Sequence, residues 1–185
     1  MRIVGGTRRG RRLHGPRSLH IRPTADRVRE TLFNVLGQRL DGGEVLDLYA
    51  GTGALGLEAL SRGAARAVLV DSDAEAIALC RRNAADLELL PQVEVLKVPA
   101  ARAVEQLAAS GRRFSIVFAD PPYRARAGTS TLEAVEPLLA EGGTLVLEHD
   151  RRESLPEACG PLVRQDERRF GDTLVSVYRR AAAIP

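Results

Sequence analysis

The sequence predicts an α/β fold, with a mostly parallel sheet covered on both faces, one reversed strand near the C-terminus and a short basic hairpin arm in front. Three observations carry this. From residue 44 onward, apolar strand-like runs alternate with segments of helical periodicity, the pattern of parallel strands joined by crossover helices. The last two strand-like runs have no helix between them and so should be antiparallel neighbours. The chain has 185 residues, 44% of them hydrophobic, enough for the core of one ordinary domain.

Arg2–Val4 and Arg11–Leu13 read as short strands around Gly5-Gly6-Thr7-Arg8-Arg9-Gly10, where glycines supply the turn. Pro23 ends this arm, which sets residues 1–23 apart from an α/β domain at 24–185 that includes a leading helix. Thr24 is placed to cap that helix, Asp26 suits its first turn, and it should run to about Leu40. Its buried stripe would be Val28, Leu32, Val35, Leu36 and Leu40, with Arg27 and Arg29 outside it. Strands are expected at Glu44–Tyr49, Ala67–Asp71, Val93–Val98, Phe114–Ala119 and Thr144–Glu148. Helices are expected at Leu55–Arg62, Asp73–Leu89, Ala101–Ser110 and Ser130–Leu139. In the second of these, Ile77, Cys80, Ala84 and Leu87 mark one apolar face. Ser130 and Glu133 have the spacing of a capping box, and Pro137 should shorten the last helix. Leu162–Glu167 and Thr173–Tyr178 form the tail, joined by a turn-like linker from Arg168 to Asp172.

Charge is uneven along the chain. The net value is +3, but residues 1–29 hold nine arginines against one acid, Asp26, and the rest holds 18 basic against 23 acidic side chains. A cationic arm on a mildly acidic body suits a polyanionic partner, such as a nucleic acid or an anionic membrane surface. Cys80 and Cys159 are too few for a disulfide framework or a metal cluster, so no metal is expected. No apolar run reaches the roughly 20 residues that span a bilayer. Ile3-Val4 runs at once into glycines and arginines, unlike the apolar segment of a signal peptide. A cytoplasmic protein is the expectation. The excess of arginine over Lys97 carries no functional reading.

The first chemical motif runs from Val45 to Gly56: a strand, a glycine-rich turn and a helix start. Glycines there permit positive φ and the close approach of a ligand. Asp71, twenty residues past Gly51, stands where a carboxylate accepts ribose hydroxyls, with Ser72 beside it. Gly51, Gly53 and Gly56 also match the dinucleotide fingerprint. Asp47 argues against that ligand, because a carboxylate near a pyrophosphate is repulsive. It suits instead the α-ammonium of S-adenosylmethionine, a ligand with no phosphate. The candidate cofactor residues are Asp47, Tyr49, Ala50, Gly51, Thr52, Gly53, Gly56, Asp71 and Ser72. A dinucleotide, or a tight turn without a ligand, remains open at this point.

The second motif, Asp120-Pro121-Pro122-Tyr123, follows a strand, which delivers Asp120 to the sheet's carboxyl edge. Two prolines hold a rigid loop and Tyr123 offers a flat ring. An acceptor side chain, turn carbonyls and a stacking ring suit a planar exocyclic amine. A strand ended by proline under an aromatic lid is the plainer alternative. The chemistry would rest on positioning, with Asp120 and the Pro121 carbonyl drawing the amine toward tetrahedral geometry.

These residues together resemble the bacterial RsmD family of small-subunit ribosomal RNA guanine-N2 methyltransferases, over nearly the full length. The matching stretches are Gly5-Gly6, Arg8 to Leu13, Arg22 to Asn34, Leu46 to Arg62 and Asp120 to Tyr123. The two motifs alone indicate only an amino-directed methyltransferase. The Arg22–Asn34 stretch and the extension past Gly56 are more specific. The resemblance implies a Rossmann-like class I S-adenosylmethionine-dependent fold with a seven-stranded sheet and one antiparallel strand. It implies a guanine of 16S ribosomal RNA as substrate, presented on the small subunit or an assembly intermediate, with ribosomal proteins as possible neighbours. Asp71 stands where family members often carry Glu. The adenine region near Val98-Pro99-Ala100 has no obvious polar side chain.

Arg8, Arg9, Arg11, Arg12, Arg17, Arg22, Arg27 and Arg29 form the expected phosphate-contacting set, and Arg124 and Arg126 could hold the target nucleotide's phosphate. His149 is expected to be structural, Asn83 a surface or capping residue, Cys80 a core thiol; His14 and His20 ligate nothing. A monomer is expected. The rival readings are an adenine-N6 methyltransferase on DNA or RNA, a nucleotide-binding oxidoreductase and a non-catalytic RNA-binding assembly factor.

Overall fold

The computed structural model describes residues 1–16, 26–121 and 128–181. The chain divides into two compact units, Met1–Ala103 and Val104–Pro185. In the first, β1 (Glu44–Asp47), β2 (Arg66–Asp71) and β3 (Val93–Lys97) pair in parallel, β1 on β2 and β2 on β3. Val68, Leu69 and Val70 of β2 are fully buried, as expected of a parallel strand paired on both sides. The crossover helices are α2 (Ala54–Ser61) and α3 (Ala74–Asp86), and both pack on β2. α4 (Ala100–Ala109) follows β3, and the division between the units falls within it.

The leading helix, α1 (Asp26–Leu36), is shorter than the sequence suggested. Gly37 ends it at φ 105°, a backbone value that costs other residues strain. Its buried residues are Arg29, Leu32 and Phe33, whereas Val35 is 36% exposed. The expected stripe is thus rotated. Arg29 lies inside because Asp26 and Glu58 provide the anionic partners that a buried guanidinium needs. The cap proposed at Thr24 falls outside the described residues, as do Pro23, Arg17, His20 and Arg22.

The hairpin forms with Arg2 opposite Arg12 in an antiparallel bridge. Ile3 N–H donates to the Arg11 carbonyl at 2.9 Å and Leu13 N–H to that of Met1 at 3.1 Å. Ile3 and Leu13 are buried, which contributes about 1.5–3 kcal/mol each by removal from water.

In the second unit, β4 (Phe114–Ala119) and β5 (Leu139–Asp150) pair in parallel. Three antiparallel pairs follow: β5 with β8 (Thr173–Arg180), β8 with β7 (Leu162–Phe170), and β7 with β6 (Ala158–Cys159). Among the described residues the chain therefore has eight strands in a mixed sheet, where seven with one reversed strand were expected. β5 begins earlier than its apolar run because of a bulge. Phe114 faces Leu139 and Ile116 faces Thr144, and Gly142 takes φ 67° within the extra residues. β6 is a two-residue edge element too short to give a periodic signal. α5 (Gly128–Val135) starts before Ser130, so that serine is not its cap. Pro137 lies in a separate 3-10 turn, Glu136–Leu138, which stops the helix as expected.

Candidate functional site

Asp47 is the last residue of β1 and is 2% exposed. Its Oδ2 accepts the Gly56 N–H at 3.3 Å, which fixes the carboxylate at the start of α2. Burial, aided by the nearby Asp71 charge, pushes its pKa up from 3.8 to about 7, against the lowering effect of the Gly56 and Tyr49 amides. A carboxylate this poorly solvated has much to gain from a cationic ligand group. Asp71, the last residue of β2, is less buried. Its Oδ2 accepts from Gly51 N–H at 2.9 Å and its Oδ1 from Asp73 N–H at 2.9 Å. Two carboxylates thus bracket one turn.

The turn itself needs its glycines. Gly51 and Gly53 take φ 53° and 77°, and a Cβ on Gly53 would come within 3.3 Å of Leu69, Cys80 and Leu57 side chains. Gly56 serves packing instead: a Cβ there would sit 2.3 Å from Leu69 Cδ2. Ala50 N–H donates to the Val70 carbonyl at 2.9 Å, Tyr49 is half-buried, and Thr52 is buried. Ser72 is exposed, beside Asp73, whose Oδ1 caps α3 by accepting from Glu75 and Ala76 N–H. The Cys80 thiol, buried under the turn, donates to the Gly51 carbonyl at 3.4 Å. Desolvation, with Asp47 and Asp71 adding repulsion, raises its pKa and keeps it protonated. Near the expected adenine region, the Pro99 carbonyl is taken by Ala103 N–H at 3.1 Å.

Two residues organise this unit: Glu58, for which the sequence suggests no role, and Asn83, expected to be a surface or capping residue. Glu58, fully buried on α2, accepts from Val4 N–H at 2.8 Å, Gly5 N–H at 2.7 Å and Arg62 Nε at 2.9 Å. Asn83 is fully buried rather than on the surface. Its Nδ2 donates to the Thr52 carbonyl at 2.9 Å and the His14 carbonyl at 3.1 Å, while its Oδ1 accepts from His14 N–H at 2.7 Å. The available signal was position: Glu58 stands among Leu57, Ala59 and Leu60, and Asn83 lies three residues after Cys80 and four before Leu87 on the apolar face, where a polar group requires partners.

The described arginines of the expected phosphate-contacting set, on the hairpin and α1, fall into three groups. Arg8 Nε donates to the Leu87 carbonyl at 2.8 Å, and Arg11 donates to that of Asp86, so both serve the C-terminal end of α3. Arg9, Arg12 and Arg27 are exposed. Arg29 is wholly buried and donates to Asp26 Oδ1 at 2.9 Å and to the Arg2 carbonyl, so it cannot serve as a surface phosphate contact.

In the second unit, Asp120 follows the last residue of β4 and is half-buried, and Pro121 is buried. Pro122, Tyr123, Arg124 and Arg126 lie outside the described residues. His149, near the end of β5, is 2% exposed, with Nε2 2.9 Å from Ser176 Oγ, which donates to Glu167 Oε2 at 2.9 Å. Among the described residues, no group of three or more His, Cys, Asp or Glu could hold a metal ion, and no helix is long and apolar enough to cross a membrane.

Comparison with known proteins agrees with this layout. A family model described as "Conserved hypothetical protein 95" matches residues 1–179. A putative rRNA methyltransferase of Bacillus subtilis, YlbH, is 39% identical over 97% of this chain and 99% of its own. The ribosomal RNA small subunit methyltransferase D of Escherichia coli K12 is 38% identical, covering 98% of this chain and 91% of its own. A solved structure of a putative E. coli methyltransferase, yhhF, superposes with TM-score 0.85 at 37% identity, covering 98% of each chain. The fold is the Rossmann-like class I methyltransferase fold with a mixed sheet, and the chain belongs to the RsmD family of small-subunit ribosomal RNA methyltransferases.

Proposed function

We propose that this protein methylates the exocyclic N2 amine of one guanine in 16S ribosomal RNA, using S-adenosylmethionine. The observation that carries the cofactor reading is the pair of carboxylates around a positive-φ glycine turn, with Asp47 held at a raised pKa of about 7. The residues present fit that ligand. Asp47 can pair with an α-ammonium, and each Asp71 oxygen keeps a lone pair for a ribose hydroxyl beyond its bond to Gly51 or Asp73. When bound, the cofactor supplies an electrophilic methyl group on a sulfonium.

This chain's residues supply position. Asp120 and the Pro121 carbonyl accept hydrogen bonds from the guanine amine and turn its lone pair toward the methyl donor. Once methylated, the amine would carry an acidic proton, which Asp120 or water would accept. Tyr123 stacks on the base, which must come from an unpaired loop or be flipped out. Arg9, Arg12 and Arg27, joined by Arg17, Arg22, Arg124 and Arg126 of the sequence motifs, hold phosphates. The substrate is the small subunit or an assembly intermediate.

Methyl transfer from labelled S-adenosylmethionine to subunits lacking the native modification, and to their extracted RNA, tests this directly. Nucleoside mass spectrometry should find N2-methylguanosine at one site. Asp120→Ala should lower transfer at least about a hundredfold while sparing cofactor binding. N6-methyladenosine instead would replace the assigned substrate, and undiminished transfer by the variant would remove Asp120 from the mechanism.

A further inference from the structure

Asn83 joins two segments that the functional reading treats as separate, the phosphate-gripping hairpin and the cofactor turn. The turn has little rigidity of its own. Gly51 and Gly53 are its conformationally free residues, and Gly53, the N-cap of α2, offers no side chain to cap the helix. Its shape is imposed by neighbours: Asp71 and Cys80 hold Gly51, and the Asn83 amide holds the Thr52 carbonyl.

The same amide holds both backbone groups of His14. One N–H of Nδ2 goes to Thr52 and the other to His14, so both donors are committed. The amide cannot move with one segment without loosening its bond to the other. His14 in turn follows directly on the hairpin, whose register is fixed by Ile3 N–H to the Arg11 carbonyl and Leu13 N–H to that of Met1. A restraint on the exposed arginines Arg9 and Arg12 therefore reaches Thr52 through a short hydrogen-bonded path.

We propose that Asn83 is a positioning residue that couples RNA binding on the hairpin to cofactor binding at the glycine turn, so that each ligand raises affinity for the other. The inference rests on the functional reading above. Phosphate contacts restrain the hairpin, the restrained hairpin holds Asn83, and less conformational freedom is then left to lose when the turn closes on the cofactor. Linkage makes the effect reciprocal.

The test measures affinity of the full chain for S-adenosylhomocysteine, the cofactor product that cannot donate a methyl group, by equilibrium dialysis, with and without small ribosomal subunits whose 16S RNA lacks the native modification. The subunits should tighten S-adenosylhomocysteine about fivefold or more in the wild type. Asn83→Ala should bring this ratio to about one while subunit affinity is retained; a merely structural role would weaken each affinity and leave the ratio intact. Hydrogen exchange on the wild type gives a second readout that needs no folded variant. Subunits alone should slow exchange at Thr52 and Gly53, and S-adenosylhomocysteine alone should slow it at His14. Subunits that protect residues 1–14 but leave both the turn and the S-adenosylhomocysteine affinity unchanged would overturn the coupling. Subunits that fail to protect the hairpin at all would instead overturn the arm's part in the functional reading.

Discussion

Asp47 shows how a single residue can be set against the fold that holds it. Its carboxyl titrates near 3.8 when unfolded and about 7 when folded. A carboxyl with a raised folded pKa weakens the fold once ionised, so the cost appears as pH rises past about 4 and is complete above 7. Asp47→Asn removes that cost. In urea melts the variant should exceed the wild type at pH 8, by about 4 kcal/mol at most, and match it at pH 3. Binding moves the opposite way. Because an ammonium prefers the ionised form, wild-type cofactor affinity should fall about tenfold per pH unit below 7 and level off above it. The variant should bind weakly at every pH, and titration calorimetry across pH 5–9 checks the profile. Here the sequence was partly legible: a carboxylate four residues before a glycine turn favoured a ligand with an ammonium group and left a dinucleotide or a ligand-free turn open. Its burial, and hence its pKa, needed the packed strand.

At the scale of elements, α2 does two jobs at its two ends. Its N-terminus carries the glycine turn proposed to hold the cofactor, and its C-terminal half fastens the hairpin through Glu58 and Ser61, with Arg62 just beyond it paired to Glu58. Ser61 Oγ donates to the Gly5 carbonyl at 2.6 Å and accepts from Arg8 N–H at 2.9 Å. Arg62 lies over the Phe33 ring at 4.7 Å, tying α1 to the same cluster. Glu58→Ala would leave Arg62 and Arg29 as buried cations short of their shared anion, at a cost of about 3–5 kcal/mol. The variant should show a lower urea midpoint and faster tryptic cleavage within the hairpin. An unchanged midpoint with intact hairpin would mean that apolar burial of Ile3 and Leu13 alone holds it. None of this was visible in periodicity, because a buried charge is placed by partners distant in sequence. Glu58 and Gly5 are 53 residues apart.

For the whole molecule, the charge asymmetry read from the sequence must be reassessed in three dimensions. Arg8 and Arg11 serve the end of α3 and Arg29 is internal, so the arm's net positive charge overstates what a polyanion meets. Four hairpin arginines are exposed, Arg2, Arg9, Arg11 and Arg12; Arg2 pairs with Asp26 and Arg11 with the Asp86 carbonyl, so Arg9 and Arg12 are the two chosen for substitution. Replacing both with Gln should weaken RNA binding and reduce the slope of log affinity against log salt by roughly 1.4–1.8, at about 0.7–0.9 per lost phosphate contact. Stability should stay within about 0.5 kcal/mol, as for exposed surface changes. The same substitutions at Arg8 and Arg11 would confuse RNA contact with loss of a helix cap. An unchanged salt slope in the Arg9 and Arg12 variant would move the phosphate contacts elsewhere.

Alternating apolar runs determined the α/β class, because period and length distinguish a covered parallel strand from a helix without reference to the rest of the chain. Local chemistry likewise made the two motifs recognisable as candidates, since a glycine turn after Asp47 and an Asp-Pro-Pro-Tyr run are patterns confined to a few residues. Tertiary structure decided what depends on distant partners. It buried Arg29 and Asn83, neither of which was expected inside, because Asp26, Glu58, Thr52 and His14 converge on them. It lengthened β5 through a bulge at Gly142 and added β6 at an edge, since strand pairing can recruit residues with no apolar pattern of their own.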